Sequence, residues 1–336
     1  MKTEVVFLKP LAPFHLQTGG LSHESTDVFP RADTLSAALT YLWFRQYGEV
    51  PGFPHELPFR ISSCFPVVVD EQGNQIQLYP KPLGVSIDPS STDHKMFKSI
   101  DWIDEVLFEK WRIAGKDFMD IPSDANDKRL AFGGKVLLAE PRSFAADKLY
   151  DQLARTRVVL DRVTQASVPF HYVQTHFSAS TLFSIHIQVD AAHKDTFMAL
   201  LRLLGDEGIG ADRTVGMGQF EVLPEVIERE YTEKEPVSKW FNLGIFNPGG
   251  QVGAIQWEDS VYSIVNRSGW VSGTSLRRSP VIAVGESALL KTAGASAPEG
   301  TIPLVLDKDS ELIPEAVRID HHVYRDCRGF FIPTMH

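Results

Sequence analysis

Four glycines around one arginine form the stretch of this sequence best suited to chemistry: Gly208-Ile-Gly-Ala-Asp-Arg-Thr-Val-Gly-Met-Gly-Gln-Phe220, between an amphipathic helical pattern and a β-like run. Gly208, Gly210, Gly216 and Gly218 permit positive φ and close backbone approach, and amides freed in such a loop can cradle phosphates. Arg213 adds a planar, permanently charged fork suited to a phosphodiester. A tight helix-to-strand connection explains any one glycine; the whole cluster favours a binding role.

Other chemistries fail on spacing. A dinucleotide fingerprint needs its third glycine where Arg213 stands and must follow a strand, and a Walker loop must end in Gly-Lys-Ser/Thr. The chain has no His-Glu-x-x-His, no Cys-x-x-Cys and no Gly-x-Ser-x-Gly elbow. His321 and His322 are adjacent, so on a strand they point to opposite faces and would not share a metal. No metal, no cofactor and no enzymatic activity are expected. His15 is the one contested residue: a general acid or base toward a ribose 2′-hydroxyl, or a packed or RNA-contacting histidine. No tyrosine, lysine or second histidine accompanies it in sequence, which favours the latter.

Basic residues beside expected loops make a more coherent site. Arg31 precedes the first helical pattern, Lys81 lies in Pro-Lys-Pro, Arg157 and Arg162 bracket Asp161, and Arg277-Arg278 stand between a turn and a strand. Lys239 beside Trp240 pairs charge with stacking. Each alone is commonly a surface ion-pair partner; together with Arg213 and the loop glycines they could line a cleft for single-stranded RNA.

Periodicity supplies the elements that position them. Glu4 to Leu11 reads as a strand and Gly19-Gly20 as part of an irregular turn. Leu35, Leu39, Leu42 and Trp43 form a helical stripe, with Asp33 or Thr34 as cap and Gly48 as stop. Phe59 to Val69 returns to strand character. From about 84 to 135 a polar insertion encloses a helix, Ser99 to Ala114, with Ile103, Val106, Leu107 and Trp111 as its stripe. Arg155 to Leu160 and Thr181 to Val189 read as strands, Phe197, Leu200, Leu201 and Leu204 as a second helix, and Phe220 onward as the closing strand. Glu225 to Pro236 is the expected junction. Beyond it, Trp240 to Ile245, Gln251 to Trp257, Trp270 to Val271, Val281 to Val284 and Phe330 to Ile332 are short β-like pieces. A strand, a helix and a strand within the first 70 residues fit the first half of a βαββαβ unit.

At 336 residues, with 43% hydrophobic and 10% aromatic content, the chain can bury two cores. Its formal charge of −10 opposes indiscriminate nucleic-acid binding but leaves room for one local basic groove. The apolar opening is too short for a signal peptide or membrane span, so no membrane association and a cytoplasmic location are expected. Cys64 and Cys327 are the only cysteines and read as buried small hydrophobes.

The loop spacing Gly-x-Gly-x-x-Arg-x-x-Gly-x-Gly-x-Phe resembles the glycine-rich loop of the RAMP superfamily of CRISPR-associated proteins. Phe14-His15, Asp33-Thr-Leu-Ser-Ala-Ala38, Ser62-Ser-Cys-Phe-Pro66, Pro80-Lys-Pro-Leu83, Asp161-Arg-Val-Thr164 and His321-His-Val-Tyr-Arg325 extend the resemblance in order along the chain. Ala32 and His322 stand where serine and proline are usual. Together they resemble the family of fourth subunits of type III-A Csm effector complexes. That resemblance implies an α+β chain of two ferredoxin-like (RRM-like) domains: residues 1–230, with the insertion and the glycine-rich loop at 208–220, and a β-rich, degenerate domain at 237–336. It implies a non-catalytic subunit that binds the repeat-derived 5′ tag of guide RNA and contacts the large polymerase-like signalling subunit and a backbone RAMP subunit in antiviral defence. The alternative within the superfamily is a metal-independent endoribonuclease that processes CRISPR RNA. The RNA-binding set is His15, Arg31, Lys81, Arg157, Arg162, Gly208, Gly210, Arg213, Gly216, Gly218, Arg277 and Arg278.

Overall fold

The computed structural model describes residues 1–17, 26–85, 94–115, 122, 126–232, 237, 239–271, 274–311, 313 and 315–335; the Gly19-Gly20 turn and parts of the insertion and junction lie outside these. The opening strand, Lys2–Pro10, is covered on both faces: Val6 and Leu8 enter one core while Val5 and Phe7 enter another. It lies between Phe220–Glu230 and Thr181–Val189, antiparallel to both. Thr181–Val189 pairs in turn with Phe59–Ile61 and Phe65–Val69, and the sheet continues through Gln75–Pro80 and Trp102–Asp104 to Val136–Leu137 and Leu130–Ala131.

Two helices pack on one face of this sheet. Leu35, Leu39, Leu42 and Trp43 of Ala32–Tyr47 meet Phe197, Leu200, Leu201 and Leu204 of Lys194–Glu207 in one cluster, the stripes that helical spacing predicts. Gly48 ends the first helix in the left-handed conformation, donating to the Phe44 carbonyl. Neither Asp33 nor Thr34 caps it. The N-cap is Arg31, with no side-chain cap, because the Asp33 carboxylate is committed to arginines of the second half. The expected strand Phe59 to Val69 is two strands, Phe59–Ile61 and Phe65–Val69, paired with different segments of Thr181–Val189.

The inserted helix is shorter than Ser99 to Ala114. Residues Trp102–Asp104 form a strand, and the helix runs Glu105–Ala114, capped by the Asp104 carboxylate accepting from Leu107 N–H at 2.9 Å. Ile103 therefore sits on the strand, and Val106 is exposed. Leu107, Phe108 and Trp111 are buried: Phe108 stacks on Tyr79 at 4.0 Å, and both Phe108 and Trp111 contact Phe241 of the second half. The insertion is thus a joint within the chain rather than an exposed apolar helix. One cluster holds Phe65, Tyr79, Phe108, Phe241, Leu243, Phe330 and Ile332, so the two halves share a core.

The strand Phe220–Glu230 runs well into the expected junction. Beyond it, Lys239–Asn242 is flanked by Leu289–Lys291 and Phe331–Pro333 in a three-stranded sheet, and Ile264–Trp270 pairs with Arg277–Val284 as a separate hairpin. Gln251 to Trp257 is not a strand; 3-10 turns occupy Gly249–Ala254 and Trp257–Asp259. Among the described residues the second half has no α-helix. The architecture is mixed α and β, with a large sheet and few helices. Cys64 and Cys327 are free and buried, and burial pushes both thiols up. No helix among the described residues is long and apolar enough to cross a membrane.

Candidate nucleic-acid interface

The glycine-rich loop folds on itself. Ile209 N–H donates to Gly218 O, Gly218 N–H to Pro13 O, Ala211 N–H to His15 O, Gly216 N–H to Arg213 O, and Val215 and Met217 N–H to Asp212 O. All four glycines have positive φ, and Asp212 does too at 60°. A Cβ on Gly208, Gly210 or Gly218 would overlap the carbonyl oxygen of Met217, His15 or Ile209 respectively, whereas at Gly216 the nearest atom would be Gln219 Oε1 at 3.8 Å. Three glycines therefore serve close backbone approach inside the protein. The amides expected to cradle phosphate are largely spent on internal carbonyls, and side chains are what this loop offers a ligand.

A long antiparallel hairpin rises beside the loop. Tyr150–Leu160 pairs with Ser167–Phe177 over its full length. Asp161-Arg-Val-Thr164 is its tip, where the Asp161 carboxylate accepts from Val163 N–H at 2.8 Å; hydrogen bonds from the Val163 and Thr164 amides hold its pKa below the usual carboxylate range. Leu153, Arg155, Arg157 and Val159 stand opposite Gln174, Tyr172, Phe170 and Val168 in the register, so these eight share one face. Tyr172 is buried, so Arg155 and the half-buried Phe170 are what this face offers to RNA phosphates and bases. Val158, Val159, Leu160, Val163 and Val168 are all exposed.

Arg157 ties the hairpin to the loop. Its guanidinium donates to Asp212 at 2.9 Å and lies 4.3 Å over the Tyr172 ring. Tyr172 meets the His15 ring edge to face, and His15 Nδ1 lies 2.7 Å from Val173 O. His15 is 2% exposed, so it works as the packed base of the site. Arg213 begins the 3-10 turn Arg213–Val215, half-buried, and Arg162 is exposed at the hairpin tip.

The other predicted residues lie elsewhere or are engaged. Lys81 donates to Phe97 O at 2.6 Å with its ammonium 4.3 Å from the Phe97 ring, and burial lowers its pKa. Arg31 grips Asp27 and Glu286. Arg277 lies 4.8 Å over Trp270, and Arg278 stands on the adjacent position of the same strand. Sequence reasoning missed Ser167–Phe177, and with it Phe170 and Tyr172. The alternation Val168, Phe170, Tyr172 was the available signal, and Pro169 obscured it.

His322 stands between two carboxylates, Nδ1 3.1 Å from Asp307 and Nε2 3.9 Å from Asp309. These three are the one set among the described residues close enough to share a metal ion. The two ring nitrogens face different aspartates.

No family model matches this sequence, and no curated protein does. Solved structures do match. A chain in the Csm3-Csm4 subcomplex of a type III-A CRISPR-Cas interference complex aligns with TM-score 0.61 at 15% identity, covering 98% of this chain and 99% of that one. A chain in a Csm1-Csm4 cassette bound to pppApA aligns with TM-score 0.53 at 18% identity, covering 99% and 98%. The chain has the fold of Csm4. The match to Csm4 runs nearly end to end. At 15–18% identity the agreement is one of backbone architecture.

Proposed function

We propose that this chain is a non-catalytic subunit of a type III-A CRISPR effector complex, gripping the repeat-derived 5′ tag of the guide RNA and docking the large polymerase-like subunit and a backbone RAMP subunit. The Csm4 fold supports membership of such a complex. The observation that carries RNA binding is the hairpin face that presents Arg155 and Phe170, locked to the glycine-rich loop through Arg157, which covers Tyr172 and pairs with Asp212. On this reading the first half is a ferredoxin-like domain, supported by the neighbour order Phe220–Glu230, Lys2–Pro10, Thr181–Val189, Phe65–Val69 with two helices on one face. The β-rich second half is its degenerate counterpart. Tyr41, Phe44 and Tyr47 on the outer side of the first helix are exposed and offer apolar surface to a partner. His15, enclosed and tied to Val173 O, supports holding RNA rather than cutting it.

In the assembled complex, Arg155→Ala and Phe170→Ala should each weaken guide-RNA binding by about 1–3 kcal/mol, the scale of a charged hydrogen bond or a stacked base. Arg213→Ala should fall in the same range. Filter binding with tagged and untagged RNA measures this; an unchanged affinity in all three variants would remove RNA from this face.

A further inference from the structure

Asp212 is the one residue of the glycine-rich loop other than glycine held at positive φ. Its φ of 60° and ψ of 24° are left-handed, a conformation that glycine takes freely and aspartate only with strain. The backbone on either side pins it: Ala211 N–H donates to His15 O, and Val215 and Met217 N–H donate to Asp212 O. An aspartate at the head of the 3-10 turn Arg213–Val215 is placed to cap it, yet its side chain makes no cap. The carboxylate reaches across to the hairpin instead, with Oδ2 2.9 Å from Arg157 Nη1.

That contact uses one corner of the guanidinium. Among the described residues, Nε and Nη2 of Arg157 meet no acceptor, and neither is enclosed. The two side chains keep 37% and 30% exposure, so the pair lies open to solvent. The guanidinium also rests 4.3 Å over the buried Tyr172 ring. One hydrogen bond and one stacking contact thus fix the fork, and its unused edge, Nε with Nη2, has the two parallel donors that take two oxygens of one phosphate. Phe170 stands opposite Arg157 in the register, and Arg155 is exposed on the same face.

We infer that Asp212 is a positioning residue for RNA: it holds Arg157 by Nη1, flat on Tyr172, so that Nε and Nη2 receive one phosphodiester of the strand on the hairpin. This deepens the guide-RNA reading and rests on it for the identity of the phosphate. The carboxylate neutralises part of the charge that it aims, so the arginine contributes through orientation more than through attraction.

The test uses Asp212→Asn and Asp212→Gly in the assembled complex. The two variants carry the same charge and both accept left-handed φ; they differ in whether Arg157 Nη1 still has an acceptor. Asp212→Asn should bind guide RNA about fivefold more tightly than Asp212→Gly, and with Arg157→Gln in place the two should bind alike. Both should steepen the slope of log K against log salt by up to about one, because the carboxylate no longer offsets Arg157; a clamp that merely holds hairpin to loop would leave the slope unchanged. Oligouridylate, titrated in parallel, serves as an RNA without a tag. An Asn-over-Gly gap on oligouridylate, without a wild-type preference for tagged RNA, would keep the aimed arginine and reject the guide-tag reading. Equal binding by the two variants, while the wild type still prefers tagged RNA, would overturn the inference and leave that reading standing. Equal gains over wild type in both variants would make Asp212 a repelling charge and also overturn it, and no binding of either RNA by the wild-type complex would sink both.

Discussion

Asp33→Ala should destabilise the fold by about 3–5 kcal/mol, the scale of removing one partner from a buried ion pair. Asp33 has no exposure to solvent to speak of, and it neutralises Arg267 and Arg325, which come from distant parts of the second half and are themselves buried. Without the carboxylate, two guanidinium groups are left facing each other at the seam between the halves. A urea titration reads the loss directly. Acid gives the same interaction a second signature. Burial raises the Asp33 pKa, but Arg267 and Arg325 outweigh it and hold the group at about 2, against an ordinary 3.8. A depressed carboxylate stabilises the fold fully above its unfolded value and loses that contribution as pH falls through the folded value. The wild type should therefore lose on the order of 2 kcal/mol between about pH 4 and pH 2 that Asp33→Asn does not lose. Matching acid profiles for the two proteins would mean that the carboxylate is not engaged as described.

Gly218→Ala is expected to be the most damaging change in the glycine-rich loop. Its Cβ would overlap the Ile209 carbonyl oxygen and would be held at φ +74°. Left-handed strain of about 1–2 kcal/mol adds to about 1–3 kcal/mol for overpacking, giving a loss of roughly 3 kcal/mol. Gly216→Ala is the control, since it shares the positive φ at 83° but its Cβ would meet only Gln219 Oε1, at an ordinary contact distance of 3.8 Å. It should show the strain alone. Thermal midpoints measured side by side should rank Gly218→Ala well below Gly216→Ala; equal losses would contradict the closed loop.

The amphipathic patterns were legible because they are local. Leu35, Leu39, Leu42 and Trp43 needed only a spacing of three and four, and Thr181–Val189 only alternation; both elements are present. The left-handed conformation of the loop glycines was legible from composition. Their purpose was not, because it depends on Pro13 and His15, which reach the loop only through the tertiary fold. Asp33 shows the same limit. In sequence it stands where a helix cap belongs, but Arg267 and Arg325 draw its carboxylate away, and no short-range pattern announces partners so far along the chain. Ile103 follows a helical stripe in sequence yet lies on a strand, since Trp102–Asp104 finds an edge to pair with before the helix begins. Of the basic residues singled out in sequence, Arg157, Arg162 and Arg213 lie around the hairpin and loop, while Arg31 and Lys81 make internal contacts.

The central claim is most directly tested by a photoreactive residue placed at Val159, on the exposed hairpin face, in a complex assembled with the large subunit, the backbone subunit and guide RNA. Mapping the crosslinked nucleotides should place them in the repeat-derived 5′ tag of an intact RNA. Crosslinks confined to the spacer portion, no crosslinks in an RNA-loaded complex, or RNA specifically cleaved by this chain would contradict the account.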